Sequence, residues 1–157
     1  MDADEVTALL TEFATHGLRA WVAGGWAADA VVGRQTRPHG DLDLAVDAAQ
    51  QAAVLALLHR LDFAVTVDWL PVRAELTAPD GRRVDLHPVA FRPDGSGVQE
   101  GLDGASFGYA ADGFAEGTIG GRPVPCLSAA QQLRFREGYP PRAVDQHDIA
   151  LLRAAVG

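Results

Sequence analysis

Residues 21–47, WVAGGWAADAVVGRQTRPHGDLDLAVD, contain the pattern on which the predicted fold depends. The apolar run 19–23 predicts a short strand that ends at the glycine pair Gly24-Gly25. The segment 25–32 predicts a helix, and Gly33 is in the position of its C-terminal cap. A strand that turns through two glycines into a helix brings backbone N–H groups to one place, where an anion such as phosphate binds well.

The end of this stretch alternates between apolar and polar residues and predicts a second strand at 41–46. Side chains alternate between the faces of a strand, so Asp41 and Asp43 point to one face while Leu42 and Leu44 point into a core. Two neighbouring carboxylates repel each other and lose hydration when they are buried. We therefore expect a cationic group between Asp41 and Asp43, and a pair of magnesium ions meets that need.

The rest of the chain supplies further helices and strands around this stretch. A possible capping box of Asp2 and Glu5 begins an amphipathic helix at 2–16, and Asp47 is predicted to cap a helix at 48–61. Strands are predicted at 63–68, 72–78 and 83–89, and the last two are joined by a hairpin turn at Pro79-Asp80-Gly81-Arg82. Helices are predicted from Ser128 to Gly138 and from about Asp145 to Val156. The expected fold class is α+β with a mixed sheet and flanking helices.

The length of 157 residues predicts one domain. Within it, we expect a catalytic core at 1–92, glycine-rich acidic strands and loops at 93–127, and C-terminal helices at 128–157. The acidic residues of 94–116 are candidates for lining an acceptor pocket.

Bulk composition excludes some classes of function. A net charge of −8 argues against nucleic acid as the main partner and weakly favours a small cationic substrate. We find no signal peptide and no membrane span in the sequence. The single cysteine, Cys126, fits a reducing cytoplasm and is expected to be a small buried apolar residue.

A catalytic site is indicated by several signals that are weak alone but follow one another in a particular order along the chain. The pair Gly24-Gly25 alone predicts only a tight turn, and Asp41-Leu42-Asp43 alone is typical of an edge strand. A third acid, Asp85, is expected on another strand, with His87 on the same face. Together these residues predict a triphosphate cradle facing three carboxylates.

That arrangement resembles the nucleotidyltransferase superfamily that shares the polymerase beta fold. The closer resemblance is to the aminoglycoside-2''-adenylyltransferase and lincosamide nucleotidyltransferase group. It is carried by Gly24, Gly25, Trp26, Ala27, Asp29, Gly33, Arg34, Thr36, Arg37, His39, Asp41 and Asp43, with Val84–Pro88 and the segment from Leu127-Ser128 to Gly138-Tyr139.

The resemblance implies roles for these residues. Asp41 and Asp43 would bind Mg²⁺ and the triphosphate, and Asp85 would complete the metal site and act as general base on the acceptor hydroxyl. Two Mg²⁺ ions and ATP or another nucleoside triphosphate are implied as cofactor and co-substrate. The expected nucleotide-binding residues are Gly24, Gly25, Arg34, Thr36, Arg37 and His39, and the expected acceptor-binding residues are Asp29, His87 and Tyr139. Some alternatives remain open. In these alternatives, Arg34 and Arg37 are solvated loop charges, Asp29 is the structural partner of a loop arginine, and Trp26 is a packing residue.

The function implied is transfer of a nucleoside monophosphate, AMP from ATP, to a hydroxyl of an antibiotic-like small molecule, an aminoglycoside or a lincosamide. Two other classes stay open: a minimal nucleotidyltransferase of toxin–antitoxin type that adenylylates a partner protein, and a non-catalytic nucleotide-binding module. The sequence is compatible with a role in resistance or in biosynthesis, and with a monomer or a homodimer.

Overall fold

A single mixed sheet organises the protein, as the computed structural model of residues 1–157 shows. Its order is β3-β4-β5-β2-β1-β9-β8, and the short hairpin β6–β7 extends from the end of β5. The strands are β1 Ala20–Ala23, β2 Leu42–Asp47, β3 Ala64–Trp69, β4 Arg73–Thr77, β5 Arg83–Phe91, β6 Gly97–Glu100, β7 Ser106–Tyr109, β8 Phe114–Ile119 and β9 Arg122–Leu127. The helices are α1 Ala3–Thr15, α2 Gly24–Val32, α3 Gln51–Arg60, α4 Ala129–Phe135 and α5 Ala143–Val156. None of these helices combines the length and the apolar character needed to span a membrane.

The strand directions confirm the predicted α+β class. β2 runs parallel to β5 and β1 runs parallel to β9, whereas β1–β2, β3–β4, β4–β5 and β8–β9 are antiparallel. Register on the central strands places Asp43 beside Asp85 and Ala23 beside Asp43. The glycine pair that follows Ala23 therefore lies next to the acidic strand.

The two faces of the sheet have different environments. One face carries the main core, in which Leu42, Leu44, Val84 and Leu86 are fully buried, as their alternation predicts. The other face carries Asp43, Asp85 and His87 near a smaller cluster of Ala23, Ala45, Val89, Tyr109 and Leu127. Cys126 is buried, which confirms its expected packing role, and Trp26 is buried in the main core.

Most element boundaries follow the predicted signals. The reciprocal capping box of Asp2 and Glu5 begins α1, and Gly33 ends α2 in the left-handed conformation. The predicted helix at 48–61 is instead a short 3-10 turn followed by α3. Within this turn, Gln50 bonds the backbone of Gly17 and Arg19, which holds the loop before β1.

The C-terminal helices also differ from the prediction in their bounds. Ser128 caps α4 through the Gln131 N–H, whereas the Gln131 side chain bonds the backbone of Gly108 and Ala110, so no reciprocal capping box forms. α4 ends at Phe135 and not at Gly138. α5 begins at Ala143, where Arg142 and Asp145 bond each other across the first turn.

Candidate active site

A cleft of about 890 Å³ lies where the carboxyl end of β1 and the start of β2 meet the C-terminal helices. Its polar end is lined by Gly24, Gly25, Arg37, His39, Asp41 and Asp43. Its other end is lined by the β6–β7 hairpin and by residues 135–148. The sheet, the loop 34–41 and α5 therefore each contribute to one cavity.

The acidic residues converge at the polar end. Asp43, Asp85 and His87 each place a potential ligand atom within 4.8 Å of the others, and Asp41 lines the cleft beside them. Burial and the negative charge of Asp43 raise the pKa of Asp41 above its ordinary value. A site that disfavours the ionised form of Asp41 is deficient in positive charge, and carboxylate oxygens are the ligands that Mg²⁺ prefers. The donor set thus fits a hard divalent cation.

Asp85 has a partner that the sequence analysis did not predict. Arg73 of β4 donates from Nε to Asp85 Oδ1 at 3.1 Å and from Nη2 to Oδ2 at 2.8 Å. The Arg73 guanidinium also lies 3.6 Å from a Glu75 oxygen and over the Trp69 ring. Both Asp85 oxygens are occupied by this fork, so Asp85 is a firmly oriented carboxylate.

His87 faces the same carboxylates from the next position on that face of β5. Its Nε2 lies 3.2 Å from Asp43 Oδ1, and its Nδ1 lies 3.2 Å from the side-chain nitrogen of Gln99. Burial lowers the pKa of His87, but the hydrogen bond to Asp43 and the charges of Asp43 and Asp85 outweigh it and raise the pKa overall.

The glycine pair is required by close side-chain contacts. A Cβ on Gly24 would lie 2.1 Å from Asp43 Oδ2, and Gly24 has a φ of +59°. A Cβ on Gly25 would lie 2.4 Å from Arg37 Nη2 and 2.6 Å from His39 Nδ1. Only glycine at both positions lets the start of α2 touch an acid and two basic groups at once.

The basic loop is held by two buried acids. Asp148 on α5 accepts from Arg37 Nε at 3.0 Å and Nη2 at 2.9 Å, and from Arg136 at 3.2 Å. The hydrogen bond with Asp148 raises the pKa of Arg37 above its ordinary value. His39 bonds the second acid, Asp29, through Nε2, which leaves Nδ1 on the side of Gly25.

Three residues predicted to bind substrates do not line the cleft. Arg34 is exposed outside it, which agrees with the alternative of a solvated loop charge. Thr36 bonds Asp29 and His147, and Asp29 is only 1% exposed. Asp29 is therefore a structural partner, as one alternative held, but its partners are Thr36 and His39 instead of a loop arginine.

The end of the cleft formed by the β6–β7 hairpin and residues 135–148 has an apolar wall and lacks the predicted acidic lining. All five acidic residues between 94 and 116 are exposed to solvent, and none of them lines the cleft: Asp94, Glu100, Asp103, Asp112 and Glu116. Five of the most exposed large hydrophobic side chains of the protein line the cleft instead: Trp69, Leu102, Phe107, Tyr139 and Val144. The predicted acidic lining is wrong, whereas Tyr139 lies at the cleft as predicted.

The acids that do reach this end are neutralised. Asp145 bonds Arg142 at 2.8 Å, and this hydrogen bond lowers the pKa of Asp145 below its ordinary value. Asp148 is shared by Arg37 and Arg136. This end of the cleft therefore combines an apolar wall with paired charges.

Arg73, Gln99 and Asp148 belong to the site but carry no motif of their own. The hairpin turn at 79–82 could have indicated Arg73, because this turn sets the register between β4 and β5. In that register Glu75 pairs with Asp85, and Arg73, the first residue of β4, lies close to His87. Gln99 and Asp148 come from distant segments, and no local pattern marks them.

Comparison with known proteins identifies the relatives of this site. Residues 5–152 match the model of the aminoglycoside-2''-adenylyltransferase family. A lincosamide resistance protein of Staphylococcus haemolyticus is 34% identical over 134 residues, which are 85% of this chain and 83% of that protein. A 2''-aminoglycoside nucleotidyltransferase of Klebsiella pneumoniae is 31% identical over 133 residues, 82% of this chain and 70% of that protein.

Solved structures agree with the sequence relatives. The lincosamide antibiotic adenylyltransferase LnuA, in its lincomycin-bound crystal structure, matches with a TM-score of 0.86 at 32% identity, over 97% of this chain and 96% of that chain. ANT(2'')-Ia in complex with adenylyl-2''-tobramycin has the same fold, with a TM-score of 0.79 at 23% identity, over 99% of this chain and 89% of that chain. These matches confirm the resemblance seen in the sequence, and the chain belongs to the aminoglycoside-2''-adenylyltransferase family.

Proposed function

We propose that this protein transfers AMP from ATP, in the presence of Mg²⁺, to a hydroxyl group of an antibiotic-like small molecule. The observation that carries the proposal is the cleft itself, which joins a glycine-lined helix start and clustered carboxylates to an apolar wall. The first part suits a nucleoside triphosphate and the second part suits an organic acceptor.

Asp41, Asp43 and Asp85 are the residues proposed to hold the divalent cation. When bound, the cation would neutralise charge on the triphosphate and on the departing pyrophosphate. Asp41 and Asp43 have no arginine fork and are the more open ligands. Each Asp85 oxygen accepts one hydrogen bond from Arg73 and keeps a second lone pair, so Asp85 would be able to hold the cation with the fork in place. Arg73 thus keeps the Asp85 carboxylate oriented until substrates bind.

The phosphates are proposed to lie against Gly24, Gly25, Arg37 and His39. Gly24 and Gly25 begin α2 and line the cleft, and the free N–H groups at the start of a helix are suited to an anion. Arg37 is fixed by Asp148 before any ligand arrives, so little side-chain entropy is lost when it contacts a phosphate. Arg34 and Thr36 are not retained in this set, because neither lines the cleft.

The acceptor is proposed to be a lincosamide-like molecule, with an apolar portion beside its hydroxyl groups. Phe107, Tyr139 and Val144 offer exposed apolar surface at the acceptor end. A polycationic aminoglycoside would need unpaired carboxylates, but Asp145 and Asp148 are already matched by arginines. The relatives include proteins named for both classes of antibiotic. The apolar wall and the paired acids favour the lincosamide class for this chain.

Pyrophosphate release from ATP and Mg²⁺ tests the proposal directly. We expect release that depends on a lincosamide and is much weaker with an aminoglycoside. Asp43→Asn is the matched inactive control, because it keeps side-chain volume and removes one charge. Release with aminoglycosides alone would refute the acceptor assignment. An Asp43→Asn protein with wild-type turnover would refute the metal-site assignment.

A further inference from the structure

Trp69 is a large aromatic side chain that stays half-exposed at the cleft. It is the last residue of β3, it is 50% exposed, and it lines the cleft. The other two tryptophans do not line the cleft, because Trp26 is buried in the main core and Trp21 packs against Phe91 and Phe114. An indole that remains open in a cleft offers apolar contact area to a ligand.

The backbone that carries Trp69 is held in the turn between β3 and β4. The Val72 N–H donates to the Trp69 carbonyl at 2.7 Å, and Trp69 pairs with Arg73 across the hairpin. The Val72 carbonyl accepts from the Gln99 side chain at 3.0 Å, which ties this turn to the β6–β7 hairpin. The position of the indole is therefore set before a ligand arrives, so less conformational entropy is lost when a ligand contacts it.

One positive charge already lies against the Trp69 ring. The Arg73 guanidinium is 5.1 Å from the ring centre while it donates two hydrogen bonds to Asp85. The negative face of the indole is thus matched by a cation that is itself fixed by a carboxylate. A second cation at the ring would be repelled by Arg73, whereas a neutral group would not. The open surface of Trp69 therefore favours a neutral apolar group over an amine.

The sheet places Trp69 and the glycine pair on opposite sides of Asp85. On one side of β5 lie β2 and then β1, which leads into Gly24, and on the other side lie β4 and then β3. Neighbouring strands are about 4.8 Å apart, so β3 lies about 10 Å from β5. An acceptor with its hydroxyl group at Asp85 therefore extends across β4 to reach Trp69, which a drug-sized molecule is able to do.

The direction of the reaction agrees with this placement. Transfer to a hydroxyl group requires the attacking and leaving oxygens to lie roughly in line across the phosphorus. If pyrophosphate leaves toward Gly24 and Gly25, the acceptor hydroxyl approaches from the side of Asp85. We propose that Trp69 is a specificity-determining residue, on which a neutral apolar part of the acceptor lies. This inference rests on the proposed function and adds an acceptor contact on the β3–β4 side of the cleft.

Indole fluorescence measures this contact without turnover. Lincomycin is the probe, added to the protein with Mg²⁺ and a non-hydrolysable ATP analogue, and tobramycin is the cationic comparison. We expect lincomycin to change the emission of the wild-type protein and tobramycin to change it much less. The change should be absent in Trp69→Phe and present in the control Trp21→Phe. A lincomycin-induced change of wild-type size in Trp69→Phe would overturn the inference.

Steady-state kinetics separates contact with the acceptor from support of Arg73. Covering about 60 Å² of apolar surface corresponds to about 10-fold in affinity, so Trp69→Ala should raise the KM for lincomycin by about 10-fold. The KM for ATP should not change, and Trp69→Phe, which keeps a ring beside Arg73, should recover most of the loss. Urea unfolding establishes that each variant is folded. A lower kcat at an unchanged KM for lincomycin would mean that Trp69 acts only through Arg73, and would contradict the proposal.

Failure of the proposed function gives a different result. A wild-type protein that binds lincomycin with the Trp69 signal but releases no pyrophosphate from ATP would refute the transfer and leave the apolar contact standing. Lincomycin-dependent release of pyrophosphate with an unchanged KM for lincomycin in Trp69→Ala would refute the contact and leave the transfer standing. A protein that neither binds lincomycin nor releases pyrophosphate with it would refute both.

Discussion

Replacing Gly24 with alanine tests whether the start of α2 determines the position of Asp43. The new Cβ would lie 2.1 Å from Asp43 Oδ2, whereas ordinary contacts begin at 3.4 Å. The carboxylate must therefore move by about 1 Å, and a displacement of that size at a reacting centre costs on the order of 100-fold in rate. The φ of +59° adds about 1–2 kcal/mol of strain to the folded state.

Gly33→Ala is the matched control on the same helix. Gly33 has a φ of +78° and no atom within 4 Å of its added Cβ, so it carries the strain without the collision. Urea unfolding should show a loss of about 1–2 kcal/mol in both variants. Pyrophosphate release should fall by about 100-fold only in Gly24→Ala. If Gly24→Ala and Gly33→Ala turn over at the same rate, the contact with Gly24 does not control Asp43.

Three further changes probe other parts of the cleft. Asp85→Asn should lower kcat much more than nucleotide affinity, and a loss of affinity at an unchanged rate would contradict the general-base role. Asp148→Asn leaves Arg37 and Arg136 without their shared carboxylate, so it should lower the free energy of unfolding by about 3 kcal/mol and raise the KM for ATP. Asp80→Asn, at an exposed turn, is the control and should change neither the stability nor the KM. The hydrogen bond from Arg142 lowers the pKa of Asp145, so the stability it contributes is present above the ordinary pKa of 3.8 and is lost as pH falls through the lower folded value. The difference in Tm between wild type and Arg142→Ala should therefore shrink in acid, and a difference that is constant with pH would argue against the pair.

The fold could be predicted wherever a short segment determines its own structure. The alternation of Leu42, Asp43 and Leu44 assigns their faces, and the Asp2 and Glu5 pair marks the start of α1. Such signals depend on backbone geometry within one strand or one turn. They predict the acidic face of β2 correctly because no distant residue is needed to orient it.

Roles in the loop 34–39 could not be read from residue type alone. Arg34 and Arg37 have the same side chain, but only Arg37 lies within reach of Asp148, which is more than a hundred residues away. Asp29 is an acid near the glycine pair, and it would suit a substrate contact if Thr36 and His39 did not occupy both of its oxygens. The decisive partners are distant in sequence, so the function of each residue is fixed by tertiary packing.

The lining of the cleft beside the β6–β7 hairpin also could not be predicted from residue type alone. Residues 94–116 contain five acids, and composition alone suggests a pocket for a cation. The β6–β7 hairpin turns Glu100 outward and Phe107 toward the cleft, because its paired strands direct alternate side chains to opposite faces. Acids at the edge of a cleft affect specificity only if they enter it unpaired, and here apolar side chains enter instead. The number of acids in a segment therefore does not predict the lining of the cleft beside it.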